Sequence, residues 1–468
     1  MEHIPCAYSN IDYRGYSLGL NEGVPRYIAY FRGRNEDYKI HELIISAAAM
    51  GLIAAVLAML VSPALFECLV GEGFDIKGKI LSVVKIMIFA LPFTILLNVA
   101  VAIYRGFDRT NVNMYFYNII RPLSLLVFAS TAVFFGVSFH GIVFVDLLSM
   151  IFTFGVMSVY FMKRPPFKLK LKLKFNEPTK QLIRYSFPLL ITATLLNFMT
   201  WTDTIMLGYF KSAEVVGVYS AVYPLVGFLS MIIGSMGFVY IPVISKLWGE
   251  NRTELIGPIY QITTKWCFLF TFPIFVLMFV YPEFLLTRIY GAEYASGVTV
   301  LRILSLGFIT NSYFGFNYHT IMAYGDSDFL MKCSMASAGM NVLLNFILIP
   351  QYGMIGAAIA SSVSFASIEV FMTLKTWKKQ NMHPFTSTYR RLTFIDIFMV
   401  VAMYAAGKAL LLTGTNLEYT AFIIVYFVII RYANVLEDAE MDMTRKISNS
   451  IRYNIDIHIL QALKALAS

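Results

Sequence analysis

The chain has 468 residues, of which 58% are hydrophobic, 16% aromatic and only 14% charged, against about 25% charged in a soluble globular domain. That composition excludes a soluble protein, and it equally excludes a disordered or collagen-like chain, which lacks such apolar surface. A net charge of +9 is then first a question of where the basic residues sit relative to a bilayer, and nucleic acid is not needed as a partner to explain it.

A hydrocarbon core of about 30 Å takes about 20 apolar residues per helix. Twelve runs of that size follow one another at 43–66, 79–103, 113–138, 140–162, 183–207, 215–243, 259–285, 297–324, 328–349, 355–376, 391–413 and 416–434. Prolines 92, 122, 188, 224 and 273 fall inside them, so each is expected to kink its helix and free a backbone carbonyl that must find a partner inside the protein. Both tails and the connections near 104–112, 163–182, 244–258, 325–332 and 377–391 carry 28 Lys and Arg, while the opposite connections carry four, Lys77, Lys79, Lys211 and Arg288. Short basic connections stay in the cytoplasm, which predicts a multi-pass cell-membrane protein with both termini cytoplasmic. The longest outward connections, 67–78 and 286–296, are too short to build an extracytoplasmic domain. Residues 1–16 have no apolar core and so no signal peptide is expected. Four scattered cysteines and six histidines without ligand spacing suggest no disulfide framework, metal site or cofactor.

The two halves repeat. Gly23-Val-Pro-Arg-Tyr-Ile-Ala-Tyr-Phe-Arg-Gly-Arg-Asn-Glu36 answers Tyr240-Ile-Pro-Val-Ile-Ser-Lys-Leu-Trp-Gly-Glu-Asn251, and Tyr104-Arg-Gly-Phe-Asp108 answers Tyr324-Gly-Asp326. Glycine pairs follow each, Gly136 with Gly141 and Gly353 with Gly356. The fold expected is therefore all-α and polytopic, about twelve helices in two pseudo-repeated lobes plus a C-terminal pair. Residues 1–162 make the first lobe, 163–182 a basic linker, 183–376 the second lobe, 377–434 the extra pair and 435–468 a cytoplasmic tail. The second lobe carries two helices around its proline marker that the first lobe lacks, so the first two helices of a fourteen-helix fold are expected to be missing. The alternative is a native twelve-helix protein with 1–42 as a cytoplasmic tail. The linker Lys168-Leu-Lys-Leu-Lys-Leu-Lys174 suits anionic lipid head groups or plain topology anchoring, and 444–467 suits an interfacial amphipathic helix or a charged tail.

Several stretches then resemble the polysaccharide flippases related to O-antigen translocases, within the superfamily that also holds multidrug and toxin extrusion carriers and lipid II flippases. They are Leu18-Gly-Leu-Asn-Glu-Gly-Val-Pro-Arg-Tyr27, Asp203-Thr-Ile-Met-Leu-Gly208 with Gly217-Val-Tyr-Ser220, Tyr290-Gly-Ala-Glu-Tyr294, and Asn341-Val-Leu-Leu-Asn-Phe-Ile-Leu-Ile-Pro350 followed by Gly353-Met-Ile-Gly-Ala-Ala358. The resemblance implies fourteen helices around a central cavity and translocation of a lipid-linked oligosaccharide to the outer leaflet.

Moving a sugar-diphosphate head group asks for recognition without bond breaking, so no enzyme is expected. Cations in a water-filled cavity would grip the diphosphate. Arg26, Arg121 and Lys265 are the candidates, with Arg26 read as standing at a position equivalent to Lys265. For Arg26 cytoplasmic snorkelling is the competing role, for Lys265 and Arg121 the cavity is the reading, and Arg302 and Lys85 read as interface anchors. Asn197 and Asn341 are candidate sugar ligands, as are Asn98, Asn311 and Asn345, although bonds between helices are the commoner use of buried Asn. Asp203 and Glu369 are the candidate ion-coupling carboxylates, with a structural ion pair as the alternative; Asp396 reads as a helix-start charge. The expected partners are a polyprenyl-(pyro)phosphate-linked glycan, membrane lipids and glycan assembly enzymes. A cation-coupled drug antiporter of the same superfamily and a truncated inactive product are the alternatives.

Overall fold

The computed structural model describes residues 19–69, 77–136, 139–167, 176–409 and 416–432. The basic stretch 168–174 and the tail 444–467 lie outside the described residues, as do the side chains of Lys85 and Lys408. Every regular element described is helical. The first half comprises α1 (Leu20–Gly33), α2 (Asp37–Leu69), α3 (Lys77–Gly106), α4 (Asn111–Asn113), α5 (Arg121–Phe134) and α6 (Phe139–Lys163). The second comprises α7 (Glu177–Phe210), α8 (Ala213–Gly249), α9 (Ile256–Val280), α10 (Pro282–Ile289), α11 (Val298–Phe314), α12 (Asn317–Tyr324), α13 (Ser327–Tyr352) and α14 (Met354–Gln380). A pair, α15 (Ser387–Ala409) and α16 (Asn416–Tyr432), follows. Among the described residues ten helical segments are long and apolar enough to cross a membrane, so the chain is a multi-span membrane protein.

Three details escape hydropathy. The run at 259–285 breaks at Tyr281, where Pro282 opens α10, because a proline is tolerated in the first turn of a new helix. The run at 297–324 breaks at Gly315 (φ +79°), where a Cβ would strike Thr264, so only glycine fits. Between α4 and α5 lies a π-helical stretch, Met114–Ile120, directly before Arg121 and Pro122. Asp396, read as a charge at a helix start, instead lies nine residues into α15 and is buried beside Tyr426.

The repeat is visible in the backbone. Asn35 and Asn251 (φ +57° and +59°) close α1 and α8, Asp108 and Gly325 (φ +63° and +91°) close α3 and α12, and Gly136 and Gly353 (φ +62° and +57°) close α5 and α13. Members of each pair lie 216 or 217 positions apart. The helix-ending bonds match too: Glu36 N–H donates to Phe31 O as Arg252 N–H does to Leu247 O, and Arg109 to Tyr104 O as Asp326 to Ile321 O, the hydrogen-bond pattern of a helix terminated by a left-handed residue.

The halves meet through α1, α7 and α8. A Cβ on Gly33 would strike the Lys246 carbonyl and one on Gly249 the Tyr30 carbonyl. Each glycine thus admits the carbonyl three residues before its counterpart, as a pseudo-two-fold axis between α1 and α8 requires. Leu20, Val24 and Ile28 of α1 share a buried cluster with Leu182 and Tyr185 of α7, Ile241 of α8 and Ile321 of α12. Such burial is worth about 25 cal/mol per Å² only where water is the alternative; in lipid, close backbone approach and interhelical hydrogen bonds take over.

Candidate functional site

Proline chemistry shapes the junction between the halves. Pro25 and Pro242 cannot donate to Asn21 and Phe238, four residues earlier, so those carbonyls need other donors. Arg105, at the end of α3, supplies both: its Nε lies 2.7 Å from Phe238 O and its Nη1 3.3 Å from Asn21 O. Its Nη1 also bonds Glu22 Oε2 at 2.9 Å, and its guanidinium packs 4.1 Å from the centroid of the Phe238 ring. Arg105 is 3% exposed, and one cation therefore ties α3, α1 and α8 together at the basic end of the bundle. Pro273 follows the same rule, since the carbonyl it frees, Leu269 O, accepts from Tyr426 at 3.3 Å.

Toward the opposite end, α7, α8, α13 and α14 converge on Asp203, which is 0% exposed. Its Oδ1 accepts from Asn345 Nδ2 at 2.6 Å and Asn341 Nδ2 at 3.2 Å. Its Oδ2 accepts from Tyr219 OH at 2.7 Å and from the Ser361 hydroxyl. Asn341 and Asn345 share a face of α13 by their i, i+4 spacing, and Asn345 Nδ2 also bonds Asn341 Oδ1 at 3.2 Å. Four donors on one carboxylate replace the hydration that a buried charge loses. Asn345 Oδ1 is left buried without a hydrogen-bond partner. In this arrangement both Asn side chains turn their Nδ2 atoms to the carboxylate, and each carboxylate oxygen accepts two hydrogen bonds.

A polar seam continues along α14. Eight residues beyond Ser361, Glu369 is buried with Oε1 accepting from Asn311 Nδ2 at 2.6 Å, while Oε2 has no hydrogen-bond partner. The next helical turns carry Thr373 and Thr376, which bond Asn317, and Tyr260 closes the seam onto Asn317 Oδ1 at 2.8 Å. The seam thus runs past the α11–α12 break toward the basic end.

The other sequence candidates are dispersed. Arg26 is 5% exposed, donates to Ala323 O at 3.1 Å and lies 4.4 to 5.1 Å from the ring centroids of Tyr27, Tyr30 and Tyr185, which is cation–π contact range. It therefore bridges α1 of the first half to α12 of the second. Lys265 is 4% exposed on α9. The counterpart of α9 in the first half is α2, so the expected equivalence of Arg26 with Lys265 fails. Arg121 begins α5 and lies 4.0 Å from Asp146, both partly exposed. Asn197 is partly buried on α7, but six residues from Asp203 is a turn of about 120° around the helix, so it faces elsewhere. Asn341, read as a sugar ligand, belongs to the Asp203 cluster. Arg302 donates to Phe279 O at 3.1 Å, joining α11 to α9.

Reasoning from sequence missed Arg105, whose charge was assigned to topology, and Ser361, since nothing in the sequence sets it apart from Ser362, Ser364 and Ser367 in the same helix. The signal for Arg105 was available: an arginine just past a span, in a chain whose two prolines leave carbonyls unpaired.

Comparison with known proteins places this arrangement. Residues 17–248 match the family described as "Polysaccharide biosynthesis protein", and residues 188–347 match "MatE". The chain is similar to the capsular polysaccharide biosynthesis protein CapF of Staphylococcus aureus, 24% identical over 70% of this chain and 80% of that one. It is also similar to the probable low-salt glycan biosynthesis flippase Agl15 of Haloferax volcanii, 23% identical over 44% of this chain and 42% of that one. Its fold is that of a solved MOP superfamily transporter from Pyrococcus furiosus, with a TM-score of 0.69 at 15% identity over 79% of this chain and 84% of that one.

Proposed function

We propose that the chain is a transporter of the polysaccharide-flippase type, as its match to the polysaccharide biosynthesis family and its MOP-type fold support, and that it carries a polyprenyl-linked oligosaccharide across the bilayer by alternating access of its two halves. The observation that carries the reading is the polysaccharide-type match over residues 17–248, which covers α1, α7 and α8, the helices that meet between the halves. The names of CapF and Agl15 support a glycan substrate. The reading takes the basic end as cytoplasmic by the positive-inside rule, and at that end Arg105 and Arg26 hold the halves together.

Opening that side means separating α1 from α8 and α12, which breaks the Arg105 and Arg26 contacts. Arg26 then leaves its aromatic box and becomes available to a diphosphate, with Lys265 and Arg121 as the further cations and Asn197 as a sugar ligand. Asp203 and Glu369 carry the coupling cation or proton. A cation held at Asp203 pulls α7, α8, α13 and α14 together, so its arrival and release change the packing of the second half.

A second reading, a cation-coupled drug antiporter, is favoured by one observation: the "MatE" match, residues 188–347, covers Asp203, Tyr219, Asn341 and Asn345. The test is Lys265→Ala, compared with wild type for transfer of a short polyprenyl-diphosphate glycan and for efflux of organic cations. Loss of glycan transfer at normal expression supports the flippase. Efflux in the wild type without glycan transfer establishes the antiporter, and normal glycan transfer by the variant removes Lys265 from the mechanism.

A further inference from the structure

Beyond the carrier path, an open groove of about 370 Å³ runs between α13 and α14 at the basic end. Its apolar walls are Phe329, Cys333, Ala336, Phe371 and Leu374, and its rim carries Lys332, Lys375 and Lys378. The helical spacing places Phe329, Lys332 and Ala336 on one face of α13 and Phe371, Leu374 and Lys378 on one face of α14. From the groove the exposed apolar surface continues toward the far end of the same helices through Val363, Leu343 and Phe346, the surface that a multi-span protein turns to acyl chains.

The rim is not internally neutralised. Lys375 is committed: it pairs with Asp326 and its Nζ lies 3.8 Å from the centroid of the Phe329 ring, and Lys379 lies 3.8 Å from the same carboxylate. Lys332 and Lys378 are exposed and have no ion pair among the described residues. Asp326 is the carboxylate paired here, with Lys375 and Lys379, so Lys332 and Lys378 leave the rim net positive. Cations at one end of an apolar channel, on the lipid side of the bundle, match the shape and charge of a two-part ligand with an anionic head and an apolar tail.

We infer that this groove binds one anionic glycerophospholipid of the surrounding leaflet, its phosphate on Lys332 and Lys378 and an acyl chain along Phe371, Leu374 and Ala336. Cys333 lines the groove and also belongs to the buried cluster that holds α1 against α7, so the bound lipid lies against the junction between the halves.

The test is native mass spectrometry of the full chain in micelles, titrated with phosphatidylglycerol and with phosphatidylcholine of identical chains. Each lysine beside an anionic head group is worth about fivefold in affinity, so K332Q/K378Q is expected to weaken phosphatidylglycerol binding about 25-fold while leaving phosphatidylcholine unchanged. K180Q, an exposed lysine at the same end, should change neither, and A336W should abolish retention by filling the channel. Equal phosphatidylglycerol binding by wild type and K332Q/K378Q overturns the site. So does wild type that fails to prefer phosphatidylglycerol, or A336W that binds like wild type. Preference for polyprenyl phosphate over phosphatidylglycerol at the same lysines overturns the phospholipid assignment and makes the groove a substrate entry point.

Discussion

The first and second halves share a backbone plan and differ in what they bury. Their helix ends coincide at three pairs of left-handed residues 216 or 217 positions apart. At the positions that build the second half's polar site, the same offset puts Ser124 opposite Asn341, Phe128 opposite Asn345, Phe144 opposite Ser361 and Phe152 opposite Glu369. Polar groups within a bilayer are expensive unless partnered, so the duplicated fold alone does not call for them. The second half holds a carboxylate with four donors, whereas in the first half Ser124 bonds Ser149 at 2.7 Å and Phe144 and Phe152 are about half exposed. Repetition supplies the frame; among the described residues, the α13 and α14 positions that are polar around Asp203 and Glu369 are Ser124 and phenylalanines in the first half.

The largest effect that would sharpen this contrast is expected at Arg105, a cation that joins the halves at two proline-freed carbonyls. Arg105→Gln loses the bond to Glu22 and strands carbonyls freed by two prolines, each loss costing about 1–3 kcal/mol. Cysteine-accessibility measurements at the basic end should show the variant shifted toward the open form; unchanged accessibility would mean that Arg105 is packing only. Next come the paired glycines. Gly33→Val and Gly249→Val each push a side chain into the opposing carbonyl, and each should destabilise by about 1–3 kcal/mol. Thermal melts that differ widely between the two variants would break the pseudo-two-fold reading. A smaller effect separates the polar sites. Asn345→Ala should weaken coupling-ion affinity about tenfold, in the range seen for supporting ligands, while Phe128→Ala at the matching position should leave it unchanged; equal effects on ion-driven transport would erase the distinction. Smallest is Ser124→Ala, about 0.6 kcal/mol for one interhelical hydrogen bond, read as a slight fall in melting temperature with transport retained.

Much of the frame was legible because the physics of lipid is coarse. Among the described residues the apolar runs reappear as helices, two of them broken, and the proline markers and the glycines 136 and 353 lie in helices or at helix ends. Asp203 and Glu369 stood out because ionisable residues inside apolar runs are rare. What was hidden depends on single dihedrals or on partners far along the chain. Gly315 splits one run through one positive φ, and α1, short and partly polar, is buried because it packs between α3 and α8. Asn341 looked like a sugar ligand because its partner Asp203 lies 138 positions away. Asp396 looked like a helix-start charge because the start of α15, at Ser387, lay a turn earlier than the apolar run at 391–413.

The central claim, that the carboxylate of the second half couples an ion gradient to glycan transfer, is tested most directly in proteoliposomes with Asp203→Asn. The change keeps the shape of the side chain and removes its charge. Wild type should move a polyprenyl-diphosphate glycan faster when a sodium or proton gradient is imposed, and the variant should transfer at the same slow rate with or without the gradient. A variant that accelerates with the gradient as wild type does would contradict the claim.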